Sequence, residues 1–220
     1  MVGLGRSQSR SYYRLFRTGD KDVIILRSRK TVVQSGLWNK KRKMILGIDV
    51  STSITGYTLL DEAGKIIECG HVDMRKEKSF FKKAALVEDA LARITSYTTL
   101  QAVYIEQPFL FFKSGGSSAA TMAALQKFNG VVSWVCYNLF DLEPKYLKAQ
   151  EARKLCGIKV PRGQKAKKVV MDFIIDNVPD FDVEYTRQGN PRPGYADRAD
   201  SYVVAKAGLT HENQETQDSN

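Results

Sequence analysis

Apolar and polar positions along residues 44–208 fall into blocks that predict a sheet covered by helices. Continuous apolar residues over 45–48 and a β-rich run over 100–105 are typical of strands buried on both faces of a mixed or parallel sheet. Helical spacing of apolar residues over 76–97 and a long apolar segment over 119–140 predict two helices. The pattern therefore predicts an α/β fold.

The remaining blocks complete the order of elements. Residues 57–60 and 64–73 predict two strands that form a meander with the first, and 142–146 predicts a short fifth strand. Three further helices are predicted. The first spans 148–156, the second follows the basic run KVPRGQKAKK and continues through 175, and the third spans 195–208. The loop before the last helix contains three prolines, and a loop of this length is typical of a functional or disordered segment.

Irregular sequence lies on both sides of this block. Residues 1–43 show no sustained period, and three interpretations remain open: a basic arm that binds phosphates, an Arg- and Ser-rich targeting peptide, or dispensable upstream sequence. Residues 212–220 are polar and predict a disordered tail. The predicted organisation is an extension over 1–43, a domain over 44–211 and a tail over 212–220.

Composition narrows the class of protein. With 43% hydrophobic residues, the 220-residue chain can bury one core. No apolar run approaches the roughly 20 residues of a membrane-spanning helix, so no membrane partner is expected. The three cysteines and two histidines lack the spacing of a disulfide framework or a zinc site.

The net charge of +10 is carried by the extension. Residues 1–43 hold 12 Lys or Arg and two acids, whereas residues 44–220 hold 22 bases and 22 acids. Within the domain the bases cluster apart from the acids, most densely in KVPRGQKAKK, residues 159–168. Such a run is commonly a solvated helical face, and contact with nucleic-acid phosphates is the functional alternative. The candidate DNA-binding residues are Arg153, Lys154, Arg162, Lys165, Lys167 and Lys168.

Four acids follow or flank the predicted elements in matching positions. Asp49 comes directly after the first strand and Glu106 after the fourth, while Asp197 and Asp200 lie three residues apart on the last helix. Each alone is commonly a capping or turn residue. Together, grouped carboxylates repel one another unless a hard divalent cation such as Mg²⁺ or Mn²⁺ neutralises them. Two such ions about 4 Å apart hydrolyse phosphodiesters, so the four acids indicate metal-assisted hydrolysis of nucleic acid.

Phe109 lies in the apolar tip PFLFF, directly after the fourth strand and before a Ser- and Gly-rich turn. An aromatic side chain there can pack into the core, or it can stack on or wedge between bases. The two interpretations remain open from the residues alone.

Four segments in order, LGIDVSTSITGY, YIEQPF, GIKVPRGQKAKK and YADRADSYVVAKA, resemble the RuvC family of Holliday junction resolvases within the RNase H-like superfamily. The resemblance implies an RNase H-like mixed five-stranded sheet flanked by helices. It implies that Asp49, Glu106, Asp197 and Asp200 are the metal-binding catalytic acids. It also implies that Phe109 inserts at the junction crossover and that Lys165 acts catalytically at the scissile phosphate.

The function implied by this resemblance is resolution of four-way junctions and other branched DNA in recombination and repair. The enzyme would be a homodimeric endonuclease that makes paired symmetric nicks with two Mg²⁺ ions per active site, for which Mn²⁺ substitutes. The implied location is the cytoplasm of a bacterium or a phage-infected cell, or an organelle if residues 1–43 are a transit peptide.

Departures from the family keep alternatives open. Val50 and Ser51 stand where the family commonly has Pro-Gly, and the basic loop and the loop before Asp197 are longer. These differences are compatible with a broader nuclease that cuts forks, flaps or RNA/DNA hybrids, and a catalytically idle nucleic-acid-binding relative is a further alternative. GIDVSTSITGY also resembles the phosphate loop of sugar kinases and actin-like ATPases, but those proteins need a second lobe and further nucleotide motifs.

Overall fold

The computed structural model describes residues 44–96, 98–108 and 118–218, and the backbone of two short strands before them. The chain divides into two units, residues 1–39 and 40–220. In the first unit, β1 (Arg14–Thr18) pairs antiparallel with β2 (Lys21–Ile25). Neither strand is predicted above, because residues 1–43 show no sustained period of apolar residues. The role of the extension remains a prediction.

A five-stranded sheet forms the centre of the second unit. Its strands are β3 (Met44–Asp49), β4 (Ile54–Leu60), β5 (Ile66–Asp73), β6 (Leu100–Glu106) and β7 (Lys145–Leu147). The spatial order is β5-β4-β3-β6-β7, with β3, β4 and β5 antiparallel and with β6 and β7 parallel to β3 and to each other. The predicted mixed α/β sheet is confirmed, and the predicted fifth strand begins three residues later than expected.

Helices cover both faces of this sheet. They are α1 (Phe80–Ala92), α2 (Ala119–Phe140), α3 (Ala149–Leu155), α4 (Ala166–Asn177) and α5 (Tyr195–Asp218). Leu46 and Ile48 of β3 pack in a core with α1 and α2, whereas Ile45 of the same strand packs in a second core with α3, α4 and α5. This alternation follows from the two-residue period of a strand. Within the described residues, no helix is long and apolar enough to cross a membrane.

The last helix is longer than predicted. α5 continues through Asp218, so the predicted disordered tail is wrong over most of its length. Glu212 explains the extension, because its carboxylate accepts hydrogen bonds from Tyr104 Oη at 2.8 Å, Gln101 Nε2 at 3.0 Å and Lys145 Nζ at 2.8 Å. These partners lie on β6 and β7, and they hold the end of α5 against the sheet.

Candidate active site

Two of the four acids reach the same edge of the sheet because their strands are parallel. Ile48 of β3 lies opposite Ile105 of β6, so the next residues, Asp49 and Glu106, end neighbouring strands. Alternation along each strand also directs both acids to one face. Ile45 and Tyr104 belong to the core on the side of α5, and Asp49 and Glu106 lie an even number of residues further on.

Close packing of α5 against the sheet brings the other two acids to this edge. Gly56 of β4 lies opposite Asp49 in the antiparallel register. A Cβ atom on Gly56 would collide with the backbone carbonyl oxygen of Asp197, and one on Gly47 would collide with the backbone of Ala205. The two glycines therefore allow α5 to lie directly on β3 and β4, with its first turn over the strand ends.

Lys167 of α4 completes the cluster. Its Nζ lies 2.7 Å from Oδ1 of Asp197 and 3.6 Å from Oδ2 of Asp200. The side chains of these two acids are 14% and 13% exposed, whereas that of Lys167 is 62% exposed. Partial burial of the Lys167 amine disfavours its charge, but Asp49, Asp197 and Asp200 outweigh this effect and raise its pKa. The ammonium is thus the counter-charge of three carboxylates.

The carboxyl groups disfavour one another's ionisation. Burial, together with Glu106 and Asp200, raises the pKa of Asp49 well above its usual value. Burial and Asp200 raise the pKa of Glu106 to about 7, with Arg153 and Lys167 opposing the shift. Burial also raises the pKa of Asp200 to about 6, opposed by Lys167 and increased by Asp197. One ammonium therefore compensates the cluster only in part, and further positive charge would stabilise it.

The oxygen ligands of this cluster are of the kind that Mg²⁺ and Mn²⁺ prefer. In the arrangement described, however, no three Asp, Glu, His or Cys side chains of the described residues are grouped so that they could hold a metal ion. In this arrangement one oxygen of Asp197 and one of Asp200 lie near the Lys167 ammonium. The carboxylate oxygens are of the type that binds a hard divalent cation. Binding of an ion by Asp197 and Asp200 would replace their contacts with the Lys167 ammonium.

Comparisons with known proteins agree with this architecture. No protein-family model and no curated protein matches the chain. Among solved structures, Thermus thermophilus RuvC in complex with a Holliday junction substrate superposes with a TM-score of 0.54 at 11% identity, covering 78% of this chain and 96% of that one. The yeast mitochondrial Holliday junction resolvase Ydc2 gives a TM-score of 0.55 at 12% identity, covering 80% and 82%.

The chain has the RuvC fold. At these identities the likeness establishes the RNase H-like architecture, and the resemblance found from the sequence motifs is confirmed at the level of the fold. Within the RuvC fold, the four predicted acids lie on β3, β6 and α5 and interact electrostatically with one another.

The predicted basic residues divide into different positions on this fold. Lys165 is the N-cap residue of α4, and among the described residues the lysine that contacts the acids is Lys167. Lys168 instead pairs with Asp172 at 2.7 Å on the exposed side of α4, and Arg162 lies exposed in the loop before this helix. Phe109 lies outside the described residues.

Helical periodicity carries the signal that distinguishes Lys167 from Lys165. Val170, Met171 and Ile174 form the buried side of α4. Residues three and four apart share one face of a helix, so Lys167 begins the face that Val170, Met171 and Ile174 continue, and Lys165 does not. The sequence therefore contained the information needed to choose between the two lysines.

Arg153 and Lys154 line a cavity of about 410 Å³ between α3 and the start of α4. The charge of Arg153 opposes the rise in the pKa values of Glu106 and Asp200. Lys159 also lines the cavity, although it is absent from the predicted DNA-binding set.

Proposed function

We propose that this protein is a divalent-metal-dependent endonuclease that resolves four-way DNA junctions and related branched DNA, acting in recombination and repair. The observation that carries the proposal is the cluster of four carboxylates from β3, β6 and α5. Burial and neighbouring carboxylates raise the pKa values of Asp49, Glu106 and Asp200. The RuvC fold and the basic residues of α3 and α4 beside the cluster support DNA as the substrate.

In this proposal Asp49, Glu106, Asp197 and Asp200 would hold two Mg²⁺ ions, for which Mn²⁺ would substitute. The chemistry supplied by such ions would be activation of a water and stabilisation of the leaving oxygen of the phosphodiester. Lys167 neutralises Asp197 and Asp200 when the carboxylates are not engaged by ions. Its largely exposed side chain then lies where it can pair with a phosphate oxygen of the substrate.

Cleavage assays on matched substrates test the proposal. Synthetic four-way, fork, flap, linear duplex and RNA/DNA hybrid substrates are incubated with the protein and Mg²⁺, and nicks are mapped on every strand. We expect the four-way junction to be cut fastest, and Asp49→Asn to abolish cutting while junction binding is retained. Asp89→Asn is the matched control, because Asp89 is exposed on α1 at the other face of the sheet. Equal cutting of linear duplex would contradict the proposal.

Paired nicks require two active sites, and we propose a homodimer that pairs through one face of α2. Exposed residues recur along this helix at alternating spacings of four and three, which is the period of paired helices. This α2 face consists of Ala123, Lys127, Gly130, Trp134 and Tyr137. Trp134 and Tyr137 are 65% and 52% exposed, so this face presents two large aromatic side chains to the solvent.

The α2 face is complementary to itself. If two copies pair antiparallel about a two-fold axis near Gly130, the small Ala123 of one copy lies opposite Tyr137 of the other. Lys127 of one copy then lies within a turn of Trp134 of the other, where an ammonium can contact the aromatic ring. Such self-complementarity is what a symmetric dimer interface requires.

A further inference from the structure

The end of β6 extends past its pairing with β3. The last paired residues of these strands are Ile48 and Ile105, so the ladder stops one residue before Glu106. Gln107, the next residue, donates its backbone N–H to the carbonyl oxygen of Leu147 at the end of β7, at 2.8 Å. Because the peptide bond is trans, the carbonyl of Glu106 in the same peptide unit points away from β7. A partner for this carbonyl must come from beyond the end of the ladder.

Asn129 of α2 supplies this partner. Its Nδ2 atom donates a hydrogen bond to the backbone carbonyl oxygen of Glu106 at 3.1 Å. Asn129 is 4% exposed, and Phe128 and Val132 beside it on the helix are fully buried in the core that α1 and α2 form with the sheet. An amide in such apolar surroundings lowers stability unless it is hydrogen-bonded. The hydrogen bond to Glu106 is a contact that an apolar side chain at this position could not make.

A second buried polar residue fixes the turn of α2 that carries Asn129. The Oγ atom of Ser133 donates to the backbone carbonyl oxygen of Asn129 at 2.7 Å. The same Oγ atom accepts a hydrogen bond from Tyr146 Oη, also at 2.7 Å. Tyr146 belongs to β7 and lies opposite Ile105 of β6 in the parallel register. This turn of α2 is therefore bonded to both strands at the edge of the sheet where Glu106 lies.

Asn129 approaches Glu106 from the face of the sheet opposite the acids. Ile105 packs in the core with α2, and Glu106, the next residue of the strand, directs its side chain to the other face. Any effect of Asn129 on the carboxylates must therefore pass through the backbone of β6. Asn138 on the same helix provides a contrast, because it is exposed and donates to a carbonyl oxygen within α2 at 2.9 Å.

We propose that Asn129 is a positioning residue of the reaction centre, which holds the end of β6 so that the Glu106 carboxylate stays beside Asp49. This inference rests on the proposed function. Without the hydrogen bond, the Glu106 peptide keeps the contact of Gln107 with β7 but loses its connection to α2. Loss of a group that orients a metal ligand commonly reduces metal affinity or activity by about 10- to 100-fold. A loss of this kind is expected here, although Asn129 itself contacts neither substrate nor ion.

Metal binding in the absence of DNA tests the assignment without relying on cleavage. Calorimetric titration with Mn²⁺ should show that Asn129→Ala lowers the affinity by about tenfold or more. Asn129→Leu keeps a branched side chain but provides no donor, so an equal loss in this variant separates the hydrogen bond from packing. Val132→Ala is the matched control, because it removes buried atoms from the same helix. Its melting temperature should fall, and its Mn²⁺ affinity should be unchanged.

A double-mutant cycle identifies Glu106 as the residue through which Asn129 acts. Glu106→Gln removes the carboxylate that Asn129 positions, so adding Asn129→Ala to this variant should change Mn²⁺ affinity little further. Asn138→Ala, which removes an exposed amide from the same helix, should leave Mn²⁺ affinity unchanged in both backgrounds. Additive losses from Glu106→Gln and Asn129→Ala would contradict the inference.

Junction assays distinguish this inference from the proposed function. In EDTA, Asn129→Ala should bind a four-way junction as tightly as the unmodified protein, because Asn129 is buried on the face opposite the acids. With Mg²⁺, its single-turnover cleavage rate should fall by about tenfold or more. Unchanged Mn²⁺ affinity and cleavage in the Asn129 variants would overturn the inference and leave the proposed function standing. Failure of the unmodified protein to cut branched DNA would overturn the proposed function itself, whereas the Mn²⁺ titrations would still decide whether Asn129 positions Glu106.

Discussion

At the scale of single residues, the position of Lys167 is the least expected feature of the acid cluster. Its ammonium contacts Asp197 and Asp200, because α4 presents Lys167 on the same side as Val170 and Ile174. In the proposed enzyme, a divalent cation would replace this ammonium as the partner of the two carboxylates. The competition between an ammonium and a metal ion for the same carboxylates makes the role of Lys167 measurable.

We expect Lys167→Gln to destabilise the protein in EDTA at neutral pH by about 1–2 kcal/mol, because the substitution leaves two largely buried carboxylates without a partner. The value lies below that of a fully buried ion pair because the Lys167 side chain is 62% exposed. Added Mg²⁺ should restore more stability to Lys167→Gln than to the unmodified protein. Denaturant unfolding with and without Mg²⁺ measures both effects. Lys168→Gln, which removes only an exposed pair with Asp172, is the control and should change neither.

The raised pKa values predict an unusual pH dependence for the metal-free protein. Burial and Asp200 raise the pKa of Glu106 from 4.5 to about 7, so the folded state binds more protons than the unfolded chain between these values. The contribution of Glu106 to stability is therefore complete below about pH 4.5 and falls as the pH rises to about 7. At about 1.4 kcal/mol per pKa unit, the loss is roughly 3 kcal/mol.

Urea unfolding in EDTA between about pH 5 and 8 tests this dependence. Glu106→Gln should flatten the decline and raise the stability at about pH 7.5, whereas Glu143→Gln, an exposed control, should reproduce the original curve. Saturating Mg²⁺ should reverse the slope, because metal binding requires the ionised carboxylates. A metal-free stability that rises with pH through this range would contradict the described cluster.

At the scale of the elements, local pattern predicts most of the fold, and contacts between distant segments decide the rest. The buried strands β3 and β6 and the acids that end them follow from continuous apolar runs, which are properties of short segments. The end of α5 could not be found in this way, since Glu212 depends on Tyr104 and Lys145, which are far away in the chain. The convergence of α5 with β3 likewise requires the tertiary packing of Gly47 against Ala205.

A substitution at Gly56 tests the close packing of α5 on β4. We expect Gly56→Ala to destabilise the protein by roughly 1–3 kcal/mol, because the added methyl group collides with the carbonyl of Asp197 and displaces the first turn of α5. Junction cleavage should fall by about 100-fold or more, since small displacements of catalytic groups are costly. Thermal unfolding and cleavage rates test both effects. Ser53→Ala, which alters an exposed side chain just before β4, is the control, and equal behaviour of the two variants would contradict the packing argument.

At the scale of the whole molecule, the two faces of the sheet have separate tasks in the proposed enzyme. The side of α3, α4 and α5 holds the acids and the cavity lined by Arg153 and Lys154, whereas the side of α1 and α2 presents the α2 face. A dimer formed through α2 leaves both acid clusters free to bind DNA. This separation allows association and cleavage to be altered independently.

Trp134→Lys tests the division directly. Because Trp134 is 65% exposed, the substitution should leave the fold of each chain intact, while in a dimer it places an ammonium near Lys127 of the other copy. We expect sedimentation to show a dimer for the unmodified protein and a monomer for the variant. On a junction held in a supercoiled plasmid, the variant should make unpaired nicks, whereas the dimer cuts both strands within one binding event. Tyr185→Lys, at an exposed tyrosine two residues after Val183, which packs in the core of α3, α4 and α5, should remain dimeric. If the unmodified protein is monomeric and still makes paired cuts, a dimer through the α2 face is not needed for cleavage of the second strand. That result would contradict the proposed dimer.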